Sequence, residues 1–475
     1  MLKKLKTKIF ILLISTIIII GYFFISVIIE NQTFNNLKSF LNNEQKELIK
    51  KYIFPYKFIS QQQQTINDQQ QTIYQQLDNL ISLDLPKYEL LKKNEGSEII
   101  IKESIQKLSN NKTLKKYNLT SGFYAGINNI FPGSGYIDFY EDNIIVISSR
   151  GVLVFKKSIE DTKKNFQQIK NNIDEFINIH QFRKKKNRRG SLWFSLKDIF
   201  IFNNKIFVSY TEEINEDCWN TSVIYADFNY ENIKFEKLLS PKECVHSTKN
   251  IDNEFNAHQS GGKIISFDDN HILLSVGDYR SRHLAQDNKS LNGKIIKVNI
   301  HNGNYEIISM GHRNPQGLYF DEENNFILET EHGPQGGDEI NLIEISKINK
   351  EKILNYGWAI SSAGEHYSGR VERNKKKYKK YPLYKSHIEY GFIEPLKSFV
   401  PSIGISEIVK VGQNRYVVSS LKDKSLYFFE LNKKKQFIKL DRVEVGERVR
   451  DLRFNNNQLY LFMEDTASIG VINLN

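Results

Sequence analysis

Cysteine is scarce: Cys218 and Cys244 stand alone in 475 residues. At most one intrachain bridge is possible. In a cytosolic protein the two would be free thiols; outside a membrane an even pair could close a loop. The basic runs lack interleaved aromatics. The net charge is +11, concentrated in stretches such as Lys184-Lys185-Lys186 and Lys375-Lys376-Lys377. Single-strand binders place stacking rings between their cations, so this excess reads as solvated loops, with no nucleic-acid partner. Sustained heptads are missing too, so no coiled coil is assigned to the Gln-rich stretch that includes Gln61–Gln64 and Gln69–Gln71. Scattered Leu and Ile at helical spacing there suggest instead a helical stalk over residues 31–118.

Charge is also absent from residues 9–29. At ~1.5 Å per residue this apolar run is about 31 Å long as a helix, enough to cross a bilayer core. Lys3, Lys4, Lys6 and Lys8 precede it. No small-residue cleavage site ends it, so the expectation is an uncleaved anchor rather than a signal peptide. The charge bias puts the N-terminus inside and the rest in the periplasm or outside, as a single-pass protein of the cytoplasmic membrane.

From residue 119 to 475 the pattern changes to short apolar runs after polar turns. Six stand out: those beginning at Asn143, Lys205, His271, Asn325, Arg415 and Gln458. They recur at intervals of about 45 to 90 residues, too long for a sandwich of hairpins, whose turns come every ~8–12 residues. The spacing predicts an all-β, six-bladed β-propeller with each of these runs as an inner strand. Residues 157–189, with Phe166, Ile169, Ile173, Phe176 and Ile177, read as an amphipathic helical insertion.

Three polar segments interrupt the strands: Ala257-His258-Gln259-Ser260-Gly261-Gly262, Gly311-His312-Arg313-Asn314-Pro315-Gln316-Gly317-Leu318, and the stretch from Glu331 to Asn341, followed by Asn355-Tyr356-Gly357-Trp358. Gly-rich loops let carbonyls turn inward, and carbonyls beside carboxylates suit Ca²⁺. Lys422, Arg448, Arg450 and Thr466 come from the last two blades. Arg448 and Arg450 alternate, so on a strand they share a face. With Arg313, these cations suit a ligand carrying several carboxylates.

In order and together, these segments resemble the soluble quinoprotein glucose dehydrogenase and aldose sugar dehydrogenase family, over about residues 185–475. The resemblance implies a six-bladed propeller that binds pyrroloquinoline quinone and Ca²⁺ and oxidises the C1 hydroxyl of aldoses to lactones. It implies His258 as general base, with Arg313 and Asn314 against the quinone oxygens. Lys422, Arg448, Arg450 and Thr466 would hold the cofactor carboxylates. The carbonyls of Gly333 and Pro334 would bind the catalytic Ca²⁺, and Glu339 with the Tyr356 carbonyl a second, structural one. The electron acceptor would be a quinone or a cytochrome. The chain departs from the family pattern at Ala257, near Arg188, and at Phe399. It also lacks the large loops of the glucose enzyme, which points to the short-loop aldose type. Two alternatives compete: a non-catalytic ectodomain binding a protein or carbohydrate, and a lactonase-type hydrolase. The Arg/Lys group argues against the second.

Overall fold

The computed structural model describes residues 102–109, 111–119, 134–148, 151–161, 166–177, 196–348 and 352–474, together with Gly21, Gln45, Thr65 and Gln69. The chain divides into two compact units, Met1–Leu80 and Ile81–Asn475. In the first, the four described residues are helical.

The second unit is built from six sheets in chain order. The innermost strands of blades 1 to 6 are Gly135–Tyr140, Leu196–Phe202, Gly261–Asp268, Pro315–Asp321, Ile405–Gly412 and Val449–Asn455. Each neighbours the next and the last neighbours the first, so the ring closes as a six-bladed β-propeller. Closure joins distant parts of the chain: Thr113–Asn118 pairs antiparallel with the last strand, Ser468–Asn473, and Lys102–Lys107 extends the same sheet.

The six apolar runs read from the sequence as inner strands are the second strands of their blades. The reason is packing. A second strand is sandwiched between neighbouring blades on both faces, as in Asn143–Ser148 and Gln458–Met463, where every residue after the first is buried. Its sequence therefore becomes continuously apolar. At the seam between blades 6 and 1, Ile137, Val146 and Val154 pack with Tyr117, Phe462 and Ile469. The innermost strands face one another and carry charge.

Those charges meet in a buried network. Lys263 Nζ lies 3.1 Å from Asp198 and 3.5 Å from Asp451, and pairs with Glu407. Arg453 reaches Asp451 at 2.9 Å, Asp138 at 3.3 Å, Asp198 at 3.5 Å and Glu407 at 3.7 Å. Burial pushes the Glu407 carboxyl up to about 8 and that of Asp198 to about 6, against the pull of Lys263. Four carboxylates and two cations thus approach neutrality through retained protons. Five blades contribute, so the network ties the inner strands to one another.

Cys218 and Cys244 form a disulfide. It fastens the short strand Val245–His246 to the start of Cys218–Asp227. Closing the intervening loop stabilises the fold by about 3–4 kcal/mol on the chain-entropy account.

Four expectations are corrected. Among the described residues no helix is long and apolar enough to cross a membrane. That overturns the single-pass placement, and the run 9–29, apart from Gly21, lies outside the described residues. The helical stalk does not extend to residue 118, because 102–107 and 113–118 are propeller strands. The helical insertion is not seen where it is described: Gln167–Asn171 is a strand paired with Leu153–Lys156, and Ile173–Glu175 is a 3₁₀ turn. Phe166, Ile169, Ile173 and Ile177 are buried there, so their spacing reflects a strand followed by a turn. Residues 178–195, Arg188 included, lie outside the description. The fourth correction is the order of the strands within each blade, given above.

Candidate active site

In an antiparallel blade the start of the first strand and the end of the second lie at the same edge. His258 precedes the first strand of blade 3, Arg313 and Asn314 that of blade 4, and Arg448 that of blade 6. Gly333 and Pro334 follow the second strand of blade 4, Lys422 that of blade 5, and Thr466 that of blade 6. All the residues singled out in these loops therefore gather on one face of the ring.

His258 is the centre of a cationic cluster. Burial, then the charges of Lys197, Arg450, Arg280 and Arg448, hold its imidazole well below the usual histidine range. It is a neutral base at physiological pH. Arg448 Nε donates to Glu464 Oε2 at 3.0 Å and Arg450 Nε to Oε1 at 2.6 Å. Against the cost of burial, Arg450 and Arg448 keep the Glu464 carboxyl below its ordinary range. Arg450 Nη1 also donates to Gln316 Oε1 at 3.1 Å. The shared face expected for Arg448 and Arg450 is thus present, both reaching one carboxylate.

Lys197 comes from the innermost strand of blade 2. Burial and Arg450 bring its ammonium down to about 7. A Cβ on Gly262, at φ +115°, would fall 2.2 Å from Lys197 Cβ, so only glycine lets the two strands approach here.

Arg313 is anchored on several sides. Its Nη1 donates to the His332 carbonyl at 2.7 Å, and its guanidinium lies 5.4 Å over the Trp358 ring. Trp358 Nε1 donates to Asp278 Oδ2 at 2.7 Å. With its amide oriented to satisfy both ends, Gln259 donates to Asp278 at 3.1 Å and accepts from Arg313 at 2.8 Å and Arg280 at 3.0 Å. The residue next to His258 thereby links it to Arg313. Asn314 Oδ1 accepts from the Gly261 N–H at 3.2 Å and Gln316 Nε2 at 3.0 Å, and so braces the strand start beside His258.

Two expected residues are not drawn into this cluster. Lys422 is exposed, and among the described residues its ammonium takes no partner. The Thr466 hydroxyl donates to Glu447 at 2.7 Å. Phe399 is buried among Ile403, Ile405 and Tyr427 in the core between blades 4 and 5.

The Gly333–Gly337 loop is fixed by Asp338, whose Oδ1 accepts from the Gly333 N–H at 3.1 Å and Oδ2 from those of Gly404 and Ile405 at 2.6 and 3.0 Å. A Cβ on Gly333 would sit 1.9 Å from the Gly337 oxygen, which only glycine avoids. Pro334 is buried in the same loop.

Beneath it lies a second constellation. Glu329, Glu331 and His312 bring ligand atoms within 4.8 Å of one another, all buried. Asn341 Nδ2 bonds Glu329 at 2.9 Å and Glu331 at 3.3 Å. Burial and Glu331 hold the carboxyls of Glu329 and Glu339 well above their usual range. The Tyr356 ring stacks on His312 at 5.0 Å. Glu329 Oε1, Asn341 Oδ1 and His312 Nδ1 are buried with no hydrogen-bond partner among the described residues. Three crowded carboxyls, with the Glu329 and Asn341 oxygens left without partners, are a donor set that suits a hard cation.

The sequence model of the family described as glucose/sorbosone dehydrogenase matches residues 137–472. The chain belongs to that family. Membership makes it an oxidoreductase of the sugar dehydrogenase type. The aldose sugar dehydrogenase YliI of Escherichia coli K12 is 27% identical over 293 residues, 56% of this chain and 72% of that protein. Quinoprotein glucose dehydrogenase B of Acinetobacter calcoaceticus is 28% identical over 222 residues, 39% of this chain and 43% of that protein. The solved soluble aldose sugar dehydrogenase of Escherichia coli, in its apo form, superposes with a TM-score of 0.55 at 20% identity, covering 71% of this chain and 94% of that one. The PQQ-bound aldose sugar dehydrogenase of Streptomyces coelicolor gives 0.52 at 15% identity, covering 79% and 99%. These superpositions agree with the propeller fold.

Reading for the family's residues missed Lys197, Arg280, Asp278, Glu464, Glu329 and Glu331. Lys197 and Asp198 stand in the otherwise apolar Leu196–Phe202, and Glu329 and Glu331 end the apolar run of blade 4. A charge interrupting a strand that must be buried was the available signal.

Proposed function

We propose that the chain oxidises the C1 hydroxyl of aldoses to lactones with pyrroloquinoline quinone and Ca²⁺. The observation that carries this is a neutral imidazole ringed by Lys197, Arg280, Arg448 and Arg450. Among the described residues, Arg448 and Arg450 share the Glu464 carboxylate and Arg313 faces Asp278, while Lys197 and Arg280 form no salt bridge. A recess with surplus positive charge fits a group with several carboxylates.

Arg448 and Arg450, with Lys422 and Thr466 at the rim, would hold those carboxylates. Arg313 and Asn314 would face the quinone oxygens. The Gly333 and Pro334 carbonyls would hold the catalytic Ca²⁺, and Glu339 with the Tyr356 carbonyl the structural one, in which Glu329 and Glu331 would share. When bound, the quinone supplies the two-electron acceptor that takes hydride from C1. An imidazole nitrogen of His258 accepts the hydroxyl proton as the C1–O bond becomes a carbonyl, and burial with the surrounding cations keeps the ring unprotonated at neutral pH. Arg313 offers positive charge where negative charge develops.

The test is dye-linked oxidation of a panel of aldoses by the full chain supplied with both cofactors. The expected result is sugar-dependent dye reduction that falls about 10²–10⁴-fold in His258→Ala. Equal rates in wild type and variant would remove His258 as the base. A folded, cofactor-loaded chain that oxidises no aldose would remove the reading.

A further inference from the structure

Two cations of the site are left over once the proposed cofactor contacts are assigned. Arg448 and Arg450 share Glu464. Arg282 pairs with Glu254 at 2.6 Å, and Asp278 faces Arg313. Among the described residues, Lys197 and Arg280 form no salt bridge. The nearest contacts of the Arg280 guanidinium are Gln259 at 3.0 Å and the Tyr367 ring at 5.2 Å, with the Glu254 carboxylate, already paired with Arg282, acting on it from farther off.

The backbone goes to some cost to put Arg280 there. Tyr279 and Arg280 are consecutive left-handed residues, at φ 51° and 66°, a conformation disfavoured for side chains of this size. Lys197 is held by the close approach of Gly262. Both charges act on His258, one from blade 2 and one from the loop after the second strand of blade 3. Uncompensated cations in a recess are costly unless a ligand answers them.

A separate cavity of about 350 Å³ lies away from these residues. It is bounded in part by Asp142 and Asn456, in the turns joining first and second strands of blades 1 and 6, at the opposite strand ends from His258. It carries no comparable charge and does not compete as an anion site.

We propose that Lys197 and Arg280 form an anion subsite beside His258, and that the aldose oxidised carries a carboxylate or phosphate at a carbon other than C1. The inference rests on the dehydrogenase reading and names its substrate class. The anion docks on the two cations while the C1 hydroxyl meets His258.

The full chain is assayed with glucuronate, glucose 6-phosphate and glucose under one cofactor load. At least one anionic sugar is expected to exceed glucose in kcat/KM by about tenfold or more, and Lys197→Met and Arg280→Met each to reduce that ratio by about tenfold. The better of the two anionic sugars separates carboxylate from phosphate. Arg280→Lys, which keeps the charge, retains most of the preference. Cofactor affinity is followed by absorbance titration in the same variants. Glucose preferred by wild type, or a ratio unmoved in both variants while cofactor affinity falls, would overturn the proposal and give the two cations to the cofactor. If no sugar is oxidised, the catalytic reading falls by itself. Calorimetry of glucuronate and glucose 6-phosphate on the cofactor-free chain then decides the subsite. Saturable binding lost in Lys197→Met upholds it, and no binding of either overturns it.

Discussion

The channel network and the site cluster are built on the same strands, one residue apart. Lys197 belongs to the site and Asp198 to the network; Arg450 to the site and Asp451 to the network. Strand alternation sends neighbours to different places. What separates the two regions is compensation. In the network every cation touches several carboxylates, and the excess carboxyls keep protons. In the site, Arg448 and Arg450 share one carboxylate, and Lys197 and Arg280 form no salt bridge among the described residues. A matched buried cluster holds the ring together, and an unmatched one awaits a ligand.

The largest test of that contrast is stability. Lys263→Met leaves Asp198, Glu407 and Asp451 to Arg453 alone and should cost about 3–5 kcal/mol in urea unfolding. Lys197→Met removes a charge without a carboxylate partner and should be neutral or stabilising. Equal losses would erase the distinction.

The acidic constellation of blade 4 is a mirror image, unmatched in the negative sense. Glu329 and Glu339 have raised pKa values in the fold. Such groups destabilise it as pH rises above the unfolded value of about 4.5. Calcium should therefore stabilise the chain more at pH 8 than at pH 5, the gain over the calcium-free chain being about 2.7 kcal/mol wherever calcium stands at a hundredfold excess over its Kd. Thermal unfolding of Glu339→Gln should show that gain diminished, and an undiminished gain would place the ion elsewhere. The buried histidines act in the opposite window. His332 is lowered to about 4, chiefly by burial. The unfolded chain takes its proton first, so stability contributed by neutral His332 and His258 is lost as pH falls below about 6.5.

The smallest effect concerns rate. The cations around His258 set the acidic limb of kcat/KM below pH 6.5. Removing one of them favours the imidazolium, so Lys197→Met should move that limb upward. A limb that stays in place would mean that burial alone sets it.

Much of this was legible in the sequence. The second strands announced six blades because packing on both faces makes them continuously apolar. The innermost strands were hidden because network and site put Lys197, Asp198, Lys263, Glu407 and Asp451 where a strand pattern expects alternation with apolar residues. Residues 102–118 read as stalk because Lys102–Lys107 is largely exposed at the outer edge of its sheet and lacks an apolar face. His258, Arg313, Arg448 and Arg450 were found through motif resemblance, and the structure brings them to one face. Lys197 and Arg280 lie outside those motifs, and only the folded ring puts them beside His258. Lys422 and Thr466 were named by the same motifs, yet one is exposed and the other is bound to Glu447, because motif order does not fix where a rim side chain points.

The most direct test of the account is a titration of the full chain with pyrroloquinoline quinone and Ca²⁺, followed by absorbance. Saturable binding, weakened by salt and by Arg450→Met but retained in the charge-keeping Arg450→Lys, is the predicted result. A folded chain that binds no quinone at any Ca²⁺ concentration would contradict the claim that Arg448 and Arg450 hold a polycarboxylate cofactor.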